Sequence, residues 1–391
     1  MEIEFWWIIP IALFFALGWI AARIDIRQVV RESRTLPRSY LKGLNFLLNE
    51  QPDKAIDSFL EAVKVEPQTV ELHFALGSLF RRRGETERAI RMHQNLVERD
   101  DLNQEQREQA LVELGQDYLK AGLLDRAESI FLKLRGSHYN EAAIRCLLDI
   151  YQQEKDWRKA IDIAQALTDH ESIYWRKEVA NFYCEEATTA LANSEPDAAN
   201  EFLDKALIIN PRCVRANIVR GDLFASQNNL VNAIKVWKRV ENQDPGYLSL
   251  VAERVMEANE KLGLREQGLT LLRSWLERHS SLDLLEHLYK AELEENGANA
   301  AYVLVKEELS RNPTLLGLEK LLEVATVMVA PVQRGDLDLI KQLIHNHTRR
   351  VARYCCNTCG FKARQFQWRC PACGGWETYP PKRTEEYDLA P

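Results

Sequence analysis

The sequence predicts an all-α solenoid of helix-hairpin repeats, with an N-terminal transmembrane helix and a small C-terminal metal-binding module. Three observations carry this expectation. An alanine recurs at intervals near 34 residues, an apolar run of eighteen residues lies at the start, and two Cys-x-x-Cys pairs stand near the end with ten residues between them.

With 391 residues the chain exceeds what one compact core accommodates and calls for two or three units. Leucine, alanine and glutamate are common, whereas 17 glycines and 13 prolines are few for this length, a balance that favours helices. A net charge of −7, with 28% charged residues, gives no indication of a nucleic-acid partner. Cys146, Cys184 and Cys213 are scattered singly, which suits reduced, buried thiols in a cytosolic compartment better than a disulfide framework.

Taken in order, Phe5 to Ala22 forms the apolar run, flanked by Trp6, Trp7 and Trp19. As a helix it would span roughly 27 Å, about the thickness of a bilayer's hydrocarbon core. Glu2 and Glu4 precede it, which argues against a cleaved signal peptide with its basic start. Arg23, Arg27, Arg31, Arg34 and Arg38 follow it. The positive-inside rule then places everything after Ala22 in the cytoplasm. Residues 1–22 are the expected anchor and residues 23–38 a basic juxtamembrane linker.

From residue 39 a repeat sets in. A small residue stands twelve positions before an alanine in Gly43/Ala55, Gly77/Ala89, Gly115/Ala127, Ala187/Ala199 and Gly221/Ala233, and Leu148/Ala160 keeps the spacing with a larger first member. Successive alanines are 34, 38, 33, 39 and 34 residues apart, and Pro67, Pro211 and Pro245 each follow their alanine by twelve. Two antiparallel helices cross closely where small residues occupy the crossing, and a hairpin of this size buries its apolar face only by stacking on neighbours. The pattern resembles the tetratricopeptide repeat, with six clear units over residues 39–247. Over residues 248–350, Met256/Gly268 and Tyr289/Ala301 keep the spacing with a large first residue, so degenerate repeats and terminal helices are expected.

Such an array lines its concave face with first helices. Counted from the small residue, the positions expected to line a partner-binding groove include Arg81, Arg82, Gln116, Arg145, Asp149, Asn181, Arg215 and Asp222. As a set they are polar and of mixed charge, suited to a peptide or protein segment.

Residues 351–379 hold the chemistry. Cys356/Cys359 and Cys370/Cys373 offer four soft ligands, and Gly360 and Gly374 behind each pair let the backbone turn under the sulfurs. Cys355 is then a spare thiol. The two knuckles resemble those of rubredoxin-like and zinc-ribbon modules, and one ion, iron or zinc, satisfies the ligands. Phe361, Phe366, Trp368 and Trp376 are expected to shelter it, and their apolar face to dock on the last helices or in the groove. Four thiolates leave no open coordination position, so a structural metal is favoured over catalysis. No phosphate-binding loop, nucleophile elbow or His-Glu-x-x-His helix is present, and no enzyme activity is expected. Residues 380–391, polar and flanked by proline, are expected to be a disordered tail.

Anchor, repeats and ribbon in this order resemble the lipopolysaccharide assembly protein B family. The stretches that carry the resemblance are residues 43–56 (GLNFLLNEQPDKAI), residues 79–94 (LFRRRGETERAIRMHQ) and the ribbon itself. The resemblance implies a single-pass regulator of the bacterial inner membrane, its bulk on the cytoplasmic side, that restrains lipopolysaccharide synthesis. It would do so by promoting degradation of the lipid A-committing deacetylase by a membrane AAA+ protease, and would help scaffold assembly at the membrane with other lipopolysaccharide assembly or regulatory proteins. It carries Cys356, Cys359, Cys370 and Cys373 over as metal ligands. It also implies that the ribbon packs against the repeats. An iron-containing redox component and a general assembly scaffold remain the alternatives, and a homodimer is left open.

Overall fold

A computed structural model describes residues 38–49, 51–65, 69–165, 172–279, 281–329, 331–381 and 384–385. The anchor expected at 1–22 and all but the last residue of the basic linker lie outside them. Among the described residues, no helix is long and apolar enough to cross a membrane. The chain divides into two compact units, Met1–Gln153 and Glu154–Pro391.

In the first unit, α1 (Arg38–Leu48) pairs with α2 (Pro52–Val65), α3 (Val70–Arg82) with α4 (Thr86–Val97) and α5 (Gln104–Lys120) with α6 (Leu124–Lys133), before α7 (Asn140–Glu154). Gly84, with φ at +80°, makes the turn between α3 and α4 in a left-handed conformation that glycine adopts without strain. At the start of α5, Asn103 accepts from the Gln106 N–H while the Gln106 side chain accepts from the Asn103 N–H, a capping box.

The second unit contains α8 (Trp157–Ala164), α9 (Ser172–Ala192) paired with α10 (Pro196–Ile209), and α11 (Val214–Ser226) paired with α12 (Leu230–Trp237). A single turn, α13 (Val240–Gln243), leads to α14 (Leu248–Lys261) with α15 (Arg265–Arg278), α16 (Leu282–Glu295) with α17 (Gly297–Arg311), α18 (Leu315–Met328) and α19 (Pro331–Val351).

The recurring alanines Ala55, Ala89, Ala127, Ala160, Ala199, Ala233 and Ala301 are all fully buried. The glycines ahead of them do more than let backbones approach. A Cβ on Gly43, Gly77, Gly115 or Gly221 would lie 2.7, 2.3, 2.6 or 2.2 Å from the ring of Phe59, His93, Phe131 or Trp237, in each case the side chain sixteen residues on. Each glycine is a socket for a ring on the second helix. In the weaker repeats the sizes are exchanged: Gly268 sits on the second helix, where an added Cβ would meet the Met256 sulfur at 3.0 Å. Hairpin α14–α15 is therefore retained by swapping the large and small partners.

After α19 the chain forms a three-stranded antiparallel sheet of order β2-β1-β3, with β1 Ala352–Cys355, β2 Lys362–Ala363 and β3 Thr384–Glu385. Of the tail expected to be disordered, residues 380–381 and 384–385 are described and are held in place, whereas 382–383 and 386–391 lie outside the described residues. Thr384 and Glu385 pair with Arg353 and Ala352, and the Pro381 carbonyl accepts a bond from the Ser249 hydroxyl at 3.1 Å. Backbone hydrogen bonds to β1 hold what polarity alone suggested was loose.

Candidate metal centre

The two Cys-x-x-Cys turns are built alike. Cys356 N–H donates to the Phe361 carbonyl and Gly360 N–H to the Cys356 carbonyl, each at 2.9 Å; Cys370 N–H donates to Gly375 and Gly374 N–H to Cys370, again at 2.9 Å. Gly360 and Gly374 have φ of +73° and +72°, so each turn folds its amides beneath its sulfurs. The four sulfurs of Cys356, Cys359, Cys370 and Cys373 lie within 4.8 Å of one another. Cys356 is 3.8 Å from Cys373 and Cys359 is 3.7 Å from Cys370. Sulfurs bound tetrahedrally at ~2.3 Å from a metal stand about 3.8 Å apart, so the cluster fits a metal on four thiolates. Cys355 is outside the cluster, its sulfur 3.8 Å from the carbonyls of Cys356 and Gly360.

Charge in the cluster favours a cation. Burial opposes the Cys356 thiolate, but the Thr378 hydroxyl and the N–H groups of Cys359 and Thr358 outweigh it, lowering this thiol to about 6. For Cys359, the Phe361 N–H favours ionisation, whereas desolvation and the sulfurs of Cys356, Cys370 and Cys373 push the thiol up to about 12. A negative charge forms easily on Cys356, and one on Cys359 is opposed by its neighbours unless a positive ion stands at the centre.

The aromatics split between two tasks. Tyr354, Phe366 and Tyr379 pack on Cys356 and Cys370, and Tyr379 is fully buried. Trp368 and Trp376 instead face the helices, which corrects the expectation that they shelter the metal. Trp368 stacks on Tyr247 with ring centroids 5.5 Å apart and planes 3° from parallel. Trp376 meets Trp157 at 5.9 Å and Phe182 at 6.2 Å, both edge to face. The Arg215 guanidinium lies 5.7 Å from the Trp368 ring and 5.5 Å from the Trp376 ring. Glu377 adds a polar key: its carboxylate accepts from the Asn181 amide at 3.0 Å and lies 3.8 Å from the Lys177 ammonium. The ribbon therefore docks on α9, α11 and Tyr247.

Residues 354–381 match the model of a rubredoxin metal binding domain, and residues 40–101 and 184–247 match that of a tetratricopeptide repeat. Lipopolysaccharide assembly protein B of Escherichia coli strain K12 is 35% identical over 382 residues, covering 96% of this chain and 97% of that protein. The chain belongs to the lipopolysaccharide assembly protein B family. The protein of that name from Haemophilus influenzae is 31% identical over 398 residues, covering 97% of this chain and 98% of its own length.

In this member of the family, the positions expected to line a groove fall in both units. Arg81, in the first, is not available as a free cation: it bridges to Glu113 at 2.5 Å and to Asp117 at 2.6 Å. Arg82 is exposed, Gln116 is half-buried, and Arg145 pairs with Glu141 on its own helix. Asp149 also has a partner. In the second unit, Asp222 on α11 accepts from Arg254 on α14 at 2.8 Å, and Arg215 on α11 reaches Glu185 on α9 at 2.9 Å. These charges tie one repeat to the next. Asn181 and Arg215 do face an occupant, and it is the chain's own ribbon. The sequence offered no sign of two residues that complete this site, Glu377 and Thr378, because neither type announces a partner.

Beneath the ribbon, Glu178 is nearly sealed from solvent. Desolvation pushes its carboxyl up to about 7, against the pull of Arg369, Lys177 and the Trp376 N–H. Undocked, it would titrate near the ordinary 4.5. As pH rises between these values the free form loses its proton while the docked form keeps it, so docking weakens with rising pH by on the order of 3 kcal/mol in total. Hydrogen exchange of ribbon amides should accordingly be slower at about pH 6 than at about pH 8, after correction for the intrinsic rate. Glu178→Gln should flatten most of this dependence. Some slope should remain, because burial raises the Glu377 carboxyl in the same direction.

Proposed function

We propose that this chain is a membrane-anchored, non-catalytic adaptor in lipopolysaccharide assembly. Its cytoplasmic repeats bring the lipid A-committing deacetylase to a membrane AAA+ protease and so restrain lipopolysaccharide synthesis. The observation that carries this is similarity along nearly the whole chain to proteins named for lipopolysaccharide assembly, at 35% and 31% identity. The Phe5–Ala22 run supports a single-pass inner-membrane anchor with the arginines after it on the cytoplasmic side. Confinement to the membrane raises the effective concentration of partners held there, so that modest contacts suffice.

The ribbon's metal, zinc or iron, is structural in this proposal. Four thiolates close the coordination shell and leave no position for a substrate. When bound, the ion supplies cross-linking of the two knuckles. Cys356, Cys359, Cys370 and Cys373 hold it, Thr378 and the knuckle amides stabilise the thiolates, and Trp368, Trp376 and Glu377 seat the module on the repeats.

Depleting the protein in its host should lengthen the half-life of the deacetylase severalfold, measured by immunoblot after translation is stopped. An unchanged half-life would remove the proteolytic adaptor and leave the general scaffold. Metal analysis of protein from the native host separates the two ions, because iron on four thiolates gives visible charge-transfer bands and zinc gives none.

A further inference from the structure

Three consecutive residues connect the metal cluster to the helices. Trp376 packs its indole against Trp157 and Phe182, Glu377 bonds to Asn181, and Thr378 turns back to the cluster. The Thr378 hydroxyl lies between the Cys356 sulfur at 3.4 Å and the Gly375 carbonyl at 3.1 Å, accepting from the thiol while it donates to the carbonyl and free to turn its one proton to a thiolate, and the Thr378 carbonyl accepts from Asn357 N–H at 2.8 Å. Thr378 thus grips the first knuckle through both main chain and side chain. The residue before it is held in an unusual conformation. Glu377 has φ of +51°, a left-handed backbone that a residue with a Cβ adopts infrequently, and its surroundings hold it there. Those surroundings come from both sides. Its N–H donates to the Trp368 carbonyl at 2.9 Å, its own carbonyl accepts from the Lys177 ammonium at 3.2 Å, and its carboxylate accepts from Asn181 at 3.0 Å and stands 3.7 Å from the Cys213 sulfur.

We infer that metal binding by the ribbon and docking of the ribbon on α9 and α11 form one coupled equilibrium, with Glu377 and Thr378 as its positioning residues. A bound metal would fix the Cys356 sulfur in place, that sulfur contacts the Thr378 hydroxyl, and Thr378 sets the peptide that puts Glu377 and Trp376 into their seats. Coupling of this kind is reciprocal. The helices that receive Glu377 therefore tighten the metal, although Asn181 and Lys177 have no bond to any ribbon cysteine among those described. Conversely, loss of the metal would release the ribbon and uncover Asn181, Arg215 and the buried thiol Cys213, with the buried Cys184 sulfur 3.8 Å behind it. The ribbon then acts as a metal-held cover over one face of the repeats. This inference depends on the cluster holding a metal and is independent of the adaptor proposal.

The test uses the full chain loaded with zinc alone and measures zinc affinity by competition with a chromophoric chelator. Asn181→Ala, on α9 and outside the ribbon, should weaken zinc on the order of tenfold, and Lys177→Met should weaken it less. Thr378→Val should match Asn181→Ala, whereas Thr378→Ser, which restores the hydroxyl, should bind as the parent does. Gln367→Ala, on an exposed ribbon position, should leave affinity unchanged. Helicity by circular dichroism identifies a variant whose repeats fail to fold. Lys177 keeps a side chain 39% exposed and tolerates replacement if Asn181 does not. In the reciprocal arm, stripping zinc from the parent should speed alkylation of Cys184 and Cys213 on the order of tenfold, read by peptide mass spectrometry. Zinc affinity unchanged in Asn181→Ala and Lys177→Met, or alkylation of the two thiols unchanged on stripping, overturns the coupling.

Discussion

Replacing Cys356 and Cys359 together with serine is expected to release the metal and unfold residues 352–381 as a unit. The ribbon's sheet has strands of only four, two and two residues. Its buried core is Cys356, Cys370 and Tyr379, so two of the three core residues belong to the four-sulfur cluster itself. A module of this size draws little stability from its own core, and metal binding in comparable zinc modules supplies about 10–16 kcal/mol of apparent folding energy. The effect should extend into the repeats. Trp368 and Trp376 would leave Tyr247, Trp157 and Phe182, and losing one well-buried aromatic typically costs about 3–5 kcal/mol. Arg215 would lose both rings that cover it. Metal content by mass spectrometry, trypsin cleavage within 352–381 and hydrogen exchange of α9 and α11 measure the three consequences. Ribbon amides that stay protected in a metal-free double variant would show that the module folds without its ion.

The second large effect is expected from Gly221→Ala in the hairpin α11–α12. The added methyl would lie 2.2 Å from the Trp237 indole nitrogen, which itself donates to the Ile218 carbonyl at 3.3 Å. Alanine favours the helix by up to ~1 kcal/mol over glycine, but overpacking a filled core costs about 1–3 kcal/mol and more when the neighbour is a rigid ring. We therefore expect net destabilisation of about 2 kcal/mol by urea denaturation, in the direction opposite to helix propensity. Ala187 and Leu203, both fully buried at the same spacing of sixteen, show the combination that relieves it. Gly221→Ala with Trp237→Leu should accordingly lose less than the sum of the single changes, by about 1 kcal/mol or more. Strict additivity would mean that the ring and the glycine are not partners.

That pairing also shows where sequence reasoning stopped. The alanine period is legible because small residues at helix crossings recur at a fixed interval, and all seven alanines that mark it are buried. The rings sixteen positions beyond the glycines recur as regularly, but as Phe, His, Phe and Trp they share a shape and not a residue class. His93 illustrates the difficulty. It is fully buried with its Nδ1 2.5 Å from Asp117, and nothing in its neighbours along the chain distinguishes it from a surface histidine. The groove positions could be named from the repeat spacing, but not their partners. Arg81 with Glu113, and Arg254 with Asp222, pair at a separation of 32 residues, close to one repeat, where many charges of either sign are available.

The knuckles of the ribbon could be read outright, because four thiolates on one metal constrain spacing within a few residues, and Gly360 and Gly374 take the left-handed backbone that such turns require. Repeat spacing and the eighteen-residue apolar run are likewise local, written into consecutive residues by helix geometry and hydropathy. What occupies the face of α9 and α11 is a different kind of question. Glu377 meets Asn181 across 196 residues of chain, and the fit depends on the direction in which a folded ribbon presents Trp376, a tight turn at positive φ and the stacked rings of Trp157 and Phe182 that Trp376 meets. None of these exists until both modules have folded, so no pattern along the chain encodes the pairing. The four thiolates make the ribbon, and packing against the repeats determines which surface it covers.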